Sequence, residues 1–258
     1  HENEVAQSEA YSGQCFARYW MHNGLLTMAG GQKMGKSLGN VIEIQAALQD
    51  FPAEALRLYY LQNKYSSPLP WSEDALPEAL AMLSRLYDAR EAAEAMEGEG
   101  DAQAIARELG ETAQEVLTLG LAFPGRFEDS IAEDFNTAEG LAHAFALTRA
   151  VNRFADHKKS RTRGGPVVAP ALAAFRLLDA SLGLLGRDVA AFHDEVKTKR
   201  LAAMGLTVEQ VERALSERGQ ARADREWARA DALRAQLEGW GIAVMDRADG
   251  VSWRVRCV

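Results

Sequence analysis

Cysteine is nearly missing from this chain: Cys15 and Cys257 are the only two in 258 residues. They stand far apart, without the short spacings that bind zinc or set up a disulfide framework. That excludes a disulfide-stapled secreted scaffold and fits a reducing cytoplasm. Long apolar runs and a basic, apolar leader are also missing, so no segment reads as a membrane span or a secretory signal. Positive charge is in deficit, with 29 Lys and Arg against 37 Asp and Glu, a net charge of -8 and a pI near 5.3. Phosphate neutralisation supplies most nonspecific affinity for nucleic acid, so this balance argues against a general nucleic-acid binder and leaves only local basic stretches for such work. The remaining composition, 47% hydrophobic and 26% charged, is that of a soluble globular protein with one large or two to three small domains.

Against this background the loop Lys33-Met34-Gly35-Lys36-Ser37-Leu38-Gly39-Asn40 stands out. Two lysines, compact charges on flexible stems, flank a glycine hinge and can swing onto a polyphosphate as it reacts. That chemistry belongs to an ATP-using enzyme. Residues Gly30 to Ser37 also satisfy G-x-x-x-x-G-K-[ST], the phosphate cradle of P-loop NTPases. Such a cradle needs a helix opening at its Gly-Lys-Ser and an acidic residue closing a second strand. Here Leu38-Gly39-Asn40 interrupts the helix start, and the downstream candidate, Asp179, sits in a helical pattern. A lysine-bearing surface loop is the plain alternative.

The loop resembles the KMSKS signature of class I aminoacyl-tRNA synthetases, and with its Leu-Gly-Asn tail it is similar to the form in cysteinyl-tRNA synthetases. The stretches His1-Glu2-Asn3-Glu4-Val5-Ala6-Gln7-Ser8-Glu9 and Tyr19-Trp20-Met21-His22-Asn23-Gly24 resemble what those enzymes carry just upstream. Gly35 stands where the family has serine, which removes a hydroxyl and loosens the loop. The resemblance implies ATP with magnesium, cysteine and a cysteine-specific tRNA as partners. It makes Lys33 and Lys36 catalytic, with Lys36 binding ATP and offsetting charge on the leaving pyrophosphate. It also places Glu4 on the glutamate that helps hold a zinc ion, which in the family binds the substrate thiolate. The partner histidine would precede His1, and the family's two cysteine ligands and HIGH motif lie further upstream. A chain opening at His1 with a motif under way reads as a fragment or trimmed gene product, expected neither to hold zinc tightly nor to form adenylate alone. Without partners, Glu4 also reads as an ordinary helix carboxylate.

The expected fold is mainly α: the end of a class I Rossmann-type catalytic domain (1–45), an antiparallel helical bundle (46–203) and a small C-terminal α+β anticodon-binding domain (204–258). Tyr19, Trp20 and Met21 are expected to pack. Pro52 should start a helix through Leu56, Tyr59, Tyr60 and Asn63. Lys64-Tyr65-Ser66-Ser67-Pro68-Leu69 sits where the family tends to have His-Tyr-Arg-Ser-Pro-Leu, so Ser66 lacks an arginine fork. Bundle helices are expected over 72–96 from a Ser72 cap, with Leu76, Leu80, Leu83 and Tyr87 on one face, and over 102–120. Asn136 with Glu139 should open another, carrying Leu141, Phe145, Thr148 and Val151, and two more should cover 167–186 and 188–203. Lys158 to Pro166 reads as a basic loop, either solvated or phosphate-contacting.

In the last domain Thr207 and Gln210 form a capping box, Gly219 divides two helices, and 242–245 with 251–256 form a hairpin. The string Glu226 to Asp231 with Gly241, Asp246, Gly250, Trp253 and Arg254 resembles the anticodon-binding end of cysteinyl-tRNA synthetases. Trp227 is expected in the core. Trp253 and Arg254 either pack or contact tRNA, by stacking on and hydrogen bonding to unpaired bases. A cytoplasmic monomer with no membrane partner is expected. The alternatives are a noncatalytic tRNA-binding paralogue, then a mycothiol cysteine ligase, which would need no anticodon module.

Overall fold

Apolar side chains three and four residues apart run through most of the sequence, and such stripes are stable only when buried on one another. The computed structural model describes residues 1–28, 43–247 and 250–255. The loop bearing Lys33, Gly35 and Lys36 lies outside them.

The first unit opens with α1 (Glu2–Ser12), which buries none of its residues. Strand β1 (Leu26–Met28) then pairs in parallel with β2 (Leu69–Trp71), in the register Leu26 to Leu69 and Met28 to Trp71. Between them come α2 (Ile44–Asp50) and α3 (Ala53–Leu61). Leu56, Tyr59, Leu69, Trp71, Leu76 and Ala79 form their shared core, with Leu26 and Met28 packed against it. This core reaches well past residue 45, because β1 finds its partner only at 69–71. Gly24 is obligatory at that seam: its N–H donates to Tyr65 O at 2.8 Å, and a Cβ would collide with Ser67 O.

The bundle comprises α4 (Ala75–Glu94), α5 (Ala102–Leu109), α6 (Glu111–Ala132), α7 (Thr137–Ala155), a single turn α8 (Ser160–Arg163), α9 (Gly165–Leu182) and α10 (Val189–Ala203). Leu76, Leu80, Leu83 and Tyr87 are buried on one side of α4 as expected. The helix starts later than Ser72, however, and its first residue follows Asp74, which makes no side-chain cap bond. The single helix expected over 102–120 is two, broken at Gly110. Gly120 lies inside α6: a Cβ there would come within 3.0 Å of Ala171 N and Pro170 Cβ, so the glycine permits the close crossing of α6 and α9. Residues 158–166 are not an open loop. They contain α8 and the first residues of α9, and Lys159 and Arg163 both pair with Glu108 of α5. Helix α9 is long and apolar enough to cross a membrane, more so than the sequence reading allows. Here it lays Val167, Val168, Ala171, Phe175 and Leu178 into the bundle core.

The C-terminal unit holds α11 (Val208–Ala223), α12 (Trp227–Gly239) and an antiparallel hairpin of β3 (Ile242–Arg247) and β4 (Gly250–Val255). Thr207 and Gln210 complete the capping box of α11. The helix runs through Gly219 and ends at Asp224, with Arg225 turning into α12 at φ 63°. Leu201, Val211, Leu237, Ile242, Trp253 and Val255 make a small separate core.

Candidate functional site

The seam between the first unit and the bundle carries one cluster of polar and aromatic side chains. Asp134 and Phe135 both adopt left-handed backbone, at φ 55° and 53°, a conformation strained for an aromatic residue. What holds them is the end of α6. The Phe135 N–H donates to Ile131 O at 3.0 Å and the Asn136 N–H to Ser130 O at 3.1 Å, so the pair takes the place of a helix-ending glycine. Asn136 then caps α7 through the Glu139 N–H, as the sequence suggests. The turn aims the Asp134 carboxylate at two groups from residues 64–65: Lys64 Nζ at 3.0 Å and the Tyr65 hydroxyl, which donates at 2.8 Å. These contacts, Lys64 first, hold the Asp134 carboxyl below its usual range and raise Lys64. Phe135, 54% exposed, stands edge-on to Tyr65. Both line a cavity of about 480 Å³ shared with Met21, Leu26, Tyr60 and Thr137.

Behind this seam α3 is locked to the bundle by a buried carboxylate. Glu54 accepts from the Tyr87 hydroxyl at 2.9 Å and from the Leu185 N–H. Burial pushes its carboxyl above the usual range, against the pull of those two donors. Tyr87 in turn stacks on Phe192 of α10, centroids 3.8 Å apart.

Helix α10 then reaches in two directions. Lys199 Nζ donates to the carbonyls of Leu48 and, at 3.1 Å, Phe51, the carbonyl end of α2, where a cation is electrostatically favoured. Arg200 lies over the Phe51 ring at 4.4 Å. Toward the C-terminal unit, Lys197 Nζ sits 4.9 Å from the Trp253 ring. Arg254 of β4 reaches Asp88 and, at 3.4 Å, Glu91 of α4. His193 Nε2 stands 3.4 Å from the same Asp88 carboxylate. Burial alone would raise the Asp88 carboxyl, but His193 and Arg254 outweigh it and leave it below the usual range.

Of the residues singled out in the sequence, some are buried and others stand exposed. Trp253, 9% exposed, belongs to the core of the C-terminal unit. Arg254 spends its guanidinium on the bundle. Trp227, expected in the core, is instead 61% exposed at the first turn of α12. Exposed arginines flank it: Arg225, and Arg229 paired with Glu226 at 3.2 Å. The available signal is its position, directly after the turn ending α11, where a large side chain has no second element to cover it. Tyr19, Trp20 and Met21 are exposed rather than part of a core, Tyr19 at 90%. Trp20 lies beside the rings of His1, Phe16 and His22, on a segment, 1–22, that contributes no residue to the three cores among the described residues.

Glu4 lies exposed on α1. Among the described residues the one group of three side chains spaced to share a metal is Asp88, Glu91 and His193, and Arg254 already occupies its carboxylates. Glu4 alone offers one carboxylate and no thiolate or imidazole set, so the described residues do not fit a zinc centre.

Compared with known proteins, residues 1–81 match the family described as "tRNA synthetases class I (C) catalytic domain", 126–186 the "DALR domain", and 207–254 the "Cysteinyl-tRNA ligase anticodon binding domain". The chain is therefore of the class I aminoacyl-tRNA synthetase type. Over 99% of its length it is 40% identical to the cysteine–tRNA ligase of Geobacter sulfurreducens and 38% identical to that of Geobacter metallireducens. It belongs to the cysteinyl-tRNA synthetase family and corresponds to the C-terminal half of such an enzyme. The chain spans about half the length of these relatives, 51% and 52%. A solved LeuRS of Agrobacterium radiobacter K84, in ternary complex with tRNA and LeuAMS, aligns with 66% of this chain and 21% of its own, at TM-score 0.49 and 21% identity.

Proposed function

We propose that this chain supplies the tRNA-reading end and one loop of the activation site of a cysteine–tRNA ligase. The observation that carries the reading is Trp227, a large aromatic held in the open beside arginines, within the segment that matches the anticodon-binding family. An exposed ring of this kind stacks an unpaired base, and neighbouring guanidiniums take its edge or phosphate. Trp253 and Arg254 serve the same module from beneath, by packing and docking it.

At the other end, Lys33 and Lys36 neutralise charge as the cysteine carboxylate attacks the α-phosphorus of magnesium-bound ATP and pyrophosphate leaves. The cysteinyl group then passes to the terminal ribose of the tRNA and AMP departs. The tRNA partner is cysteine-specific, and the protein works as a cytoplasmic monomer. The 258 residues alone bind tRNA without making adenylate, since they contain no HIGH-type His-x-x-His pair.

The test is a titration of the purified chain with cysteine tRNA against another tRNA at two salt concentrations. Selective, salt-sensitive binding is expected, and equal binding of both tRNAs overturns the reading. Gly35 and Ser66, where the family has serine and tends to have arginine, favour a second reading as a noncatalytic tRNA-binding paralogue. The same chain joined to the N-terminal half of a relative separates the two: cysteine-dependent ATP–pyrophosphate exchange supports the ligase, and its absence supports the paralogue.

A further inference from the structure

The ion pairs of Arg254 cross from one unit of the chain to another. The residue sits on β4, paired with β3 between Ala243 and Arg254, while Asp88 and Glu91 lie one turn apart on the C-terminal half of α4. Around this contact the hairpin has a second hold on the bundle, Lys197 over the Trp253 ring. Neighbouring residues of β4 point to opposite faces, so Trp253 fills the core of its own unit while Arg254 grips α4. His193 presents its Nε2 to the same Asp88 carboxylate from α10. Three elements, α4, α10 and β4, thus converge on one half-buried carboxylate. The planar five-donor guanidinium is suited to hold two carboxylates in a fixed orientation, which a lysine does less well.

We infer that Arg254 is a positioning residue: by clamping the hairpin to Asp88 and Glu91, it fixes where the C-terminal unit, and with it Trp227, stands relative to the bundle. The inference rests on the tRNA-reading role proposed above for its binding consequence, but not for its structural one. Arg254 does not touch RNA in this arrangement; it sets the place from which Trp227 does.

Two variants test it. Arg254→Gln removes the fork, and Asp88→Asn with Glu91→Gln removes its partners while keeping shape. Both are made in a background with Cys15→Ser and Cys257→Ser, carrying spin labels at Gln103→Cys on α5 and Gln236→Cys on α12, both exposed positions. The parent should give one narrow distance distribution. Each variant should broaden it, the combination should broaden it no further, and Arg254→Lys should restore it in part. Unchanged distributions in both variants overturn the clamp, whatever the protein does with RNA.

The tRNA titration then separates positioning from contact. A misplaced reader loses about one base-stacking contact, roughly tenfold in Kd. Asp88→Asn with Glu91→Gln makes the chain two charges less negative, yet a clamp predicts weaker binding. Direct contact by Arg254 predicts the reverse: that variant binds more tightly, and Arg254→Gln reduces the salt slope by about one. Either of those results overturns the positioning role. Should the parent itself show no tRNA preference, the functional proposal falls, while the distance measurements still decide the clamp.

Discussion

Replacing each of two tryptophans by alanine should have opposite consequences. Trp253 is 9% exposed among Leu201, Val211, Leu237 and Ile242, so Trp253→Ala empties a cavity in a small core. Losses for buried aromatics truncated to alanine run at about 3–5 kcal/mol, and the C-terminal unit has little core with which to absorb that. Trp227 is 61% exposed, and surface changes of this kind stay within about 0.5 kcal/mol. Its loss should appear in binding: one base stacked on an aromatic is worth about 1–3 kcal/mol, which is roughly 5- to 150-fold in Kd. The assay is urea unfolding followed by far-ultraviolet circular dichroism, run beside tRNA titration at fixed salt. Trp227→Ala should unfold with the parent and bind tRNA weakly, while Trp253→Ala should show an early partial transition. If Trp227→Ala unfolds early, or binds tRNA as the parent does, the assignment of reader and core to these two residues is wrong.

Gly24→Ala drives a Cβ into Ser67 O and should cost the first unit about 3 kcal/mol. Gly13→Ala, at φ 66° but in open space, should cost only about 1 kcal/mol; thermal unfolding of both variants compares the two. Tyr87→Phe removes a donor from buried Glu54 and should destabilise by about 1–3 kcal/mol. The native Glu54 pKa lies above the unfolded value of 4.5, so the folded chain binds that proton more tightly. The Glu54 contribution to stability therefore falls as pH rises from the unfolded value through the native one. Glu54→Gln should remove that slope from urea unfolding measured across pH, and an unchanged slope would assign it elsewhere. Lys199→Met should free the carbonyl end of α2; amide hydrogen exchange should quicken in α2 and α3 and stay as it was in β3 and β4.

Where a local rule decides the outcome alone, the sequence is readable. The Thr207 and Asn136 caps form as their spacing suggests, and the α4 stripe from Leu76 to Tyr87 is buried as its period requires. Local rules fail where the partner decides. Gly120 looks like a helix end, but the backbone of α9 passes beside it. Asp134 and Phe135 look like the approach to a helix, yet they also end the previous one, in a conformation more usual for glycine or asparagine. Trp227 and Trp253 are the same residue type in one short module, and only the tertiary cover separates them. Arginine on a short strand suits RNA, whereas the partners of Arg254 lie more than 160 residues away. No local pattern could reveal that pairing.

Helix α10 touches all three parts of the chain, and its geometry explains how. Successive residues turn by about 100° along a helix, so Lys197 and Lys199 point to sides about 200° apart. One meets Trp253 of the C-terminal unit and the other the end of α2 in the first unit. Phe192, near the angle of Lys199 but two turns earlier, stacks on Tyr87, which holds Glu54 of α3. The contacts at both ends are stiff kinds: a cation on a ring, a cation on helix-end carbonyls, and a buried carboxylate with two donors. Helix α10 thus contacts both the C-terminal unit and the first unit. Under the proposed tRNA-reading role, a net charge of -8 makes general attraction to tRNA small, and affinity has to come from a few well-placed contacts. On the proposed role Trp227 has to keep its place for its contact to hold its value, so the contacts along α10 should matter to binding more than their individual energies suggest.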